Sequence, residues 1–326
     1  MLGVEVAGSL QRTMSDNQEK IELSIVVAVP EGGPILGACL TALEAQISGI
    51  AAEILVVDGT KSGTAADWST HPGSVRILQL PVQPEVPTLW QAGIDASRGG
   101  IIALLVESCI PDRDWVMQVL RAHEADCAVI GGAIDLAPTL GTVDSAIYFC
   151  RYSRYMPPFA ATFLDDLPGN NCSYKRAALT GVQDELADGF WETFVHRKMR
   201  ARGDRLLCLP EILVHHVGSA SGLSFLRVRF NHGCRFAARR AKELNRWQRV
   251  LRALASPLVP FVMLFRIAKR VWERRRYRAK FLSCVPLLLI FLTAWSAGEC
   301  VGYILGPSWR SFQTKKSEGP VLREAE

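Results

Sequence analysis

A nearly unbroken β-branched run, LSIVVAV at Leu23–Val29, sets the first limit on how this chain can fold. A strand with one wet face alternates apolar and polar residues. A continuous run asks for cover on both faces, as in a parallel sheet flanked by helices. The pattern recurs. EILVVD at residues 53–58 reads as a second buried strand, 75–80 as a third, 101–106 as a fourth and 127–134 as a fifth. Helical stretches at 35–46, 88–98 and 114–124 separate them. Strands alternating with helices at this spacing imply βαβ units in a doubly wound, mostly parallel, Rossmann-like α/β sheet. Such sheets bind ligands outside the carboxyl ends of their strands, so residues 30–33, 58–64 and 107–111 are expected to line one cleft.

Beyond Gly141 the pattern loosens. GNNCSYKR (169–176) reads as a turn and strand, 188–202 as a helix, 206–210 as a short strand, and 225–252 as one long basic helix or a pair. The net charge of +5 conceals an asymmetry: Arg227 to Lys280 holds 17 Lys/Arg and two acids, leaving a balance of −10 elsewhere. A basic stretch beside apolar ones suits anionic lipid headgroups, and the apolar neighbours argue against nucleic acid. Residues 253–265 are uncharged but too short to span a bilayer of roughly 30 Å, so an interfacial position is expected. Residues 281–298 are also uncharged, and with tilt this segment could cross or re-enter. The basic flank at 266–280 then places the head on the cytoplasmic side of the inner membrane. The first twenty residues are polar, which implies a flexible N-terminus and no signal peptide. Nine scattered cysteines without CxxC spacing point to buried thiols in a reducing compartment rather than disulfides or zinc.

Taken in order, LSIVVAVPEGGP, EILVVDGTKSGT, LWQAGIDASRGGIIALL, ESCIPDRDW, PGNNCSYKR and GFWETFVHRKMRARG resemble family 2 glycosyltransferases of the GT-A fold, over about residues 23–233. The resemblance implies a nucleotide-diphosphate sugar donor, a lipid-linked or cell-envelope glycan acceptor, and inversion at the anomeric carbon. It assigns Asp58, at the tip of a buried strand, to the nucleotide base, and Pro30 and Glu31 to the base and ribose. The alternative for Asp58 is an Asx-turn aspartate capping its own loop. Glu107 and Ser108 fall on the donor side, with Asn170, Asn171 and Trp191 toward the transferred sugar or acceptor. Gly59 and Gly63 suit close backbone approach or a plain turn.

One departure matters. The family's acidic D-x-D falls here on Val106 and Ser108, leaving Glu107 alone between them. A single carboxylate is a poor cage for Mg²⁺ or Mn²⁺, so metal dependence is expected to be weak or absent. Glu107 and His215 are the residues that a metal would use. Arg229 and Arg235, with Arg227, are candidates for holding the leaving diphosphate instead, since arginine matches phosphate bidentately. The family's general base stands eleven residues before a glycine closing the next helix, and counting back from Gly203 reaches Glu192. The alternative is that Glu192 pairs with His196 on an exposed helix face.

The expected organisation is thus a flexible stretch at 1–20, a GT-A domain at 21–222, basic juxtamembrane helices at 223–280, a transmembrane or re-entrant helix at 281–306, and a polar tail at 307–326. The competing class is a non-catalytic, membrane-bound nucleotide-sugar binder of the same fold. Donor sugar, acceptor and oligomeric state are not encoded in any motif.

Overall fold

The computed structural model describes residues 21–61, 63, 75–80, 85–218 and 221–306. The expectations of a flexible N-terminus without a signal peptide and of a polar tail, and most of the 59–64 loop beyond Lys61, fall outside them. The described residues form two compact units, one within Met1–Asp135 and Phe159–His216, the other within Leu136–Pro158 and Val217–Glu326. The second unit therefore includes 136–158 as well as the C-terminal helices.

The first unit is built on a nine-stranded sheet. Its strands are β1 (Leu23–Val29), β2 (Ala52–Asp58), β3 (Val75–Gln79), β4 (Ile101–Val106), β5 (Cys109–Pro111), β6 (Val129–Leu136), β7 (Thr162–Leu164), β8 (Asn171–Lys175) and β9 (Leu206–His216). The order is β3-β2-β1-β4-β8-β6-β9-β5, with β7 paired to β9. The block β3-β2-β1-β4 is parallel throughout. All seven β1 residues are buried there, as its composition demands. β8 runs antiparallel to both β4 and β6, so β6 points the same way as the parallel block. The α/β class and the parallel βαβ logic hold.

The first unit's helices are α1 (Pro34–Ile47), α2 (Val86–Ala96) and α3 (Trp115–Glu124), while α4 (Thr142–Tyr152) belongs to the second. α5 (Arg176–Thr180) and α6 (Glu192–Ala201) return to the first. α2 lies directly on the sheet because Gly93 has no side chain where Val26 and Val57 approach. At the N-terminal end of the block, Ser24 Oγ donates to Glu53 at 2.7 Å. Arg76 and Arg98 reach the same carboxylate at 2.8 and 3.2 Å.

The second unit holds α7 (Gly222–Arg240), α8 (Arg246–Ala255), α9 (Val259–Glu273) and α10 (Arg278–Leu305). A single 3₁₀ turn at Ser256–Leu258 joins α8 to α9, so the apolar 253–265 segment sits inside a 28-residue helical rod, Arg246–Glu273. By length and composition alone, that rod and α10 are both candidates for crossing a membrane. All nine cysteines are free, and all but Cys300 are buried.

Candidate functional site

Strand register gathers the first half of the site. Val29 pairs with Asp58 and Ala28 with Val106, so the exits of β1, β2 and β4 lie side by side at the carboxyl end of the block. There PEGG (30–33) turns away from the sheet. Gly32 and Gly33 carry φ of 73° and 98°, a conformation costly for any residue with a Cβ. The turn aims two amides at one carboxylate. The Glu31 N–H donates to Glu107 Oε1 at 3.1 Å, and the Gly32 N–H is shared between both Glu107 oxygens at 3.1 Å. Glu107 is 1% exposed. Burial is the main force pushing its carboxyl up to about 7; the loop amides pull it back, and the Glu31 and Asp58 charges push it further up.

Asp58 is fully buried. Its Oδ1 accepts the Thr60 N–H at 2.7 Å, so the Asx-turn geometry is present. Gln79 Nε2 bridges the Asp58 and Thr60 carbonyls at 3.2 and 3.0 Å and holds the exit loop to β3. Pro30 is half-buried and Glu31 exposed at the mouth of this corner, while Ser108 is buried beside it.

A second group assembles where β8 and α6 begin. The Phe190 N–H donates to the Pro87 carbonyl at 2.8 Å, pinning the start of α6 to α2. Phe190 packs edge-on against Trp90 and Tyr174, with centroids 6.2 and 5.4 Å away. Trp90 in turn donates from Nε1 to the Leu105 carbonyl of β4 at 2.8 Å. A Cβ on Gly169 would stand 2.8 Å from the Trp90 ring and 3.4 Å from the Glu192 carboxyl carbon. Glu192 thus lies against the Gly169–Asn170 turn, half-buried, in the first turn of α6 where the helix end favours negative charge. Asn170 Nδ2 donates to Cys109 Sγ at 3.0 Å, two residues past Glu107.

Several expected residues sit differently. Asn171 has no exposed surface, accepts from Trp115 Nε1 at 2.9 Å, and donates to the Ala133 and Ile212 carbonyls at 2.8 and 2.9 Å. Its amide is spent as a core joint. Trp191 is half-buried at the α6 N-terminus, its Nε1 donating to the Asp188 carbonyl at 3.1 Å. His196 is not an exposed partner for Glu192: it is fully buried, with Nδ1 2.6 Å from Asp166 and Nε2 2.8 Å from the Tyr174 hydroxyl. Asp184 pairs with Lys198. Arg229 and Arg235 both stand on α7 in the second unit, where Arg229 lies over the Trp295 ring at 4.1 Å.

Glu107 and His215 each have other partners in the structure. Glu107 spends its oxygens on loop amides, and His215 pairs across the ladder from Ile110, its Nε2 3.9 Å from Asp112. Among the described residues no group of three or more His, Cys, Asp or Glu could hold a metal ion. Sequence reasoning passed over Trp90, although it stands in a motif already singled out, and Cys109. It also missed the Asp166–His196–Tyr174 chain, whose members lie far apart in sequence.

No protein-family model matches this chain, and no curated protein does. Among solved structures it is similar to the mannosyltransferase PcManGT from Pyrobaculum calidifontis, in complex with GDP-Man and Mn²⁺. The TM-score is 0.52 at 12% identity, covering 90% of this chain and 94% of that one. At that identity the likeness establishes a shared fold.

Proposed function

We propose that this chain is a membrane-associated, inverting glycosyltransferase of the GT-A type. Its donor is a nucleotide-diphosphate sugar, and its acceptor a lipid-linked or cell-envelope glycan at the cytoplasmic leaflet. One observation carries the reading: Asp58, the Glu107-clamped loop, Asn170 and Glu192 lie at the carboxyl ends of β1, β2 and β4 and the start of α6. The carboxyl end is where open α/β sheets bind ligands. The fold shared with a protein crystallised with GDP-Man agrees with it.

In the proposed reaction Asp58 and the Pro30–Glu31 backbone hold the nucleoside, and the Gly169–Asn170 turn lines the sugar side. Glu192 takes the proton of the acceptor hydroxyl as that oxygen bonds to the anomeric carbon. The bond from that carbon to the diphosphate breaks on the opposite face, and nucleoside diphosphate leaves. Asn171 is left out because its amide is satisfied in the core. Val106 and Ser108 at the D-x-D places favour the second reading, a sugar-nucleotide binder without catalysis. Detergent-solubilised full-length protein offered UDP-, GDP- and dTDP-sugars separates the two. Release of nucleoside diphosphate from at least one donor is expected, and binding without release supports the second reading.

A further inference from the structure

We infer that the C-terminal helical unit is monotopic: the 246–273 rod lies along one leaflet, its apolar stripe in the acyl boundary and its arginines among anionic headgroups, and α10 does not cross. This rests on the membrane association proposed above and concerns how it is made.

The rod is one-sided. Trp247, Leu251, Leu254, Leu258, Phe261 and Phe265 recur at helical spacing and are each 64–84% exposed. The opposite face is packed. Ile267 and Val271 are buried, Ser256 accepts at its carbonyl from Ser296 Oγ at 2.6 Å, and Arg249 donates to the Tyr303 and Ile304 carbonyls at 3.0 and 2.9 Å. A helix with one face on its own protein and an apolar face outward fits an in-plane interfacial position. Charge complements it: eight Lys/Arg and one acid lie within 266–280 beside the stripe.

Two features oppose a crossing. The rod's uncharged core, 253–265, is thirteen residues, about 20 Å at helical rise, against roughly 30 Å of hydrocarbon. A crossing rod would carry Arg252 or Arg266 into the acyl region. The second feature is the partner of α10. α7 runs beside its C-terminal half in parallel register, with Phe225 on Phe291 at 4.8 Å, Arg229 on Trp295, and the Cys234 carbonyl beside Gly302. Gly233 and Gly298 admit the opposing backbones. If α10 crossed with this pair intact, Arg227, Arg229 and Arg235 would enter the membrane at the depth of residues 293–301, and buried arginines there are costly. A position along the surface keeps them out of the hydrocarbon.

Topology decides the matter in the full-length chain. Single cysteines are placed in the turn between α9 and α10 (Arg275→Cys) and in the tail (Ser317→Cys), with Cys300→Ser in both. Sealed inside-out membrane vesicles from an expressing bacterial host are treated with a membrane-impermeant maleimide. Both positions should react fully without detergent. Protection of Arg275→Cys alone indicates a two-helix crossing, protection of Ser317→Cys alone indicates α10 crossing, and either overturns the inference while leaving membrane association standing. A chain absent from the membrane fraction overturns both. In parallel, Phe261→Ser with Phe265→Ser alters only exposed positions, so the circular dichroism spectrum should be unchanged. Partitioning onto vesicles of three parts neutral to one part anionic phospholipid should fall at least tenfold. Wild-type partitioning by that variant overturns the role of the stripe.

Discussion

Two buried glutamates stand at opposite ends of the same parallel block, and their surroundings could hardly differ more. Glu53, at the N-terminal end, is met by Ser24 Oγ, the Arg98 N–H, and the Arg76 and Arg98 guanidiniums. Burial works to raise its carboxyl, but the bonds from Ser24, Arg76 and Arg98 outweigh it and hold it below the usual value. Glu107, at the carboxyl end, has only loop amides for donors among the described residues, shares its corner with Asp58 and Glu31, and is pushed up to about 7. One end of the sheet resolves its buried charge and the other keeps it unresolved. Proteins often concentrate such uncompensated charge where a ligand or reaction makes use of it, which agrees with the proposed site at the carboxyl end.

The comparison predicts that changes at the carboxyl end alter function and changes at the other end alter stability. The largest effect should come from Glu192→Gln, which keeps size and hydrogen bonding but removes basicity. Turnover should fall roughly 10²–10⁴-fold with donor affinity and melting temperature intact. If Asp188 or Glu185 variants lose turnover while Glu192→Gln keeps it, the base lies upstream of α6. Glu53→Ala should do the reverse. It strands the buried Ser24 hydroxyl and the Arg98 N–H while the half-exposed guanidiniums turn to water, and should cost about 1–3 kcal/mol in denaturant unfolding while nucleotide binding by the folded fraction persists.

The pH dependence should differ in sign. A carboxyl held below its ordinary value, like Glu53, contributes stability that is present above the unfolded value and lost on acidification. Glu107, raised from 4.5 to about 7, acts oppositely: its contribution is full below pH 4.5 and is lost as pH rises through 7, about 3 kcal/mol in all. Unfolding curves of Glu107→Gln against wild type between pH 4.5 and 8 should show that slope vanish. An unchanged slope would mean that the Glu107 corner is not strained. The smallest effect expected is that of EDTA, no more than about threefold on turnover, because the Glu107 oxygens already hold loop amides. Abolition by EDTA and rescue by Mn²⁺ would point to ligands supplied by the substrate phosphates.

The parallel block was legible because β1, β2 and β4 announce double-sided burial in their own composition. The antiparallel half was less so. β5 and β7 have three residues each, too few for any period, and β9 runs through Pro210 to His216 where a proline would normally end a strand. α4 went unread because its buried residues nearly encircle it. Asp58 is a candidate from its strand end alone, and Glu192 from a spacing that the family resemblance implies. Glu107 as a clamp could not be read, since its partners lie 75 and 76 residues away. Nor could local sequence separate Asn170 from Asn171, adjacent amides of which one faces Cys109 and the other the core.

The central claim, that the carboxyl end binds a nucleotide with Asp58 and performs chemistry with Glu192, is tested most directly by calorimetry of three proteins with UDP, GDP and dTDP. Wild type should bind one nucleotide. Asp58→Ala should weaken that binding by about 1–3 kcal/mol, since Asp58 is read as the group that holds the base. Glu192→Gln should bind as wild type does, because its carboxylate meets the acceptor rather than the nucleotide. Binding unchanged in Asp58→Ala with its fold intact, or lost in Glu192→Gln, would contradict the account.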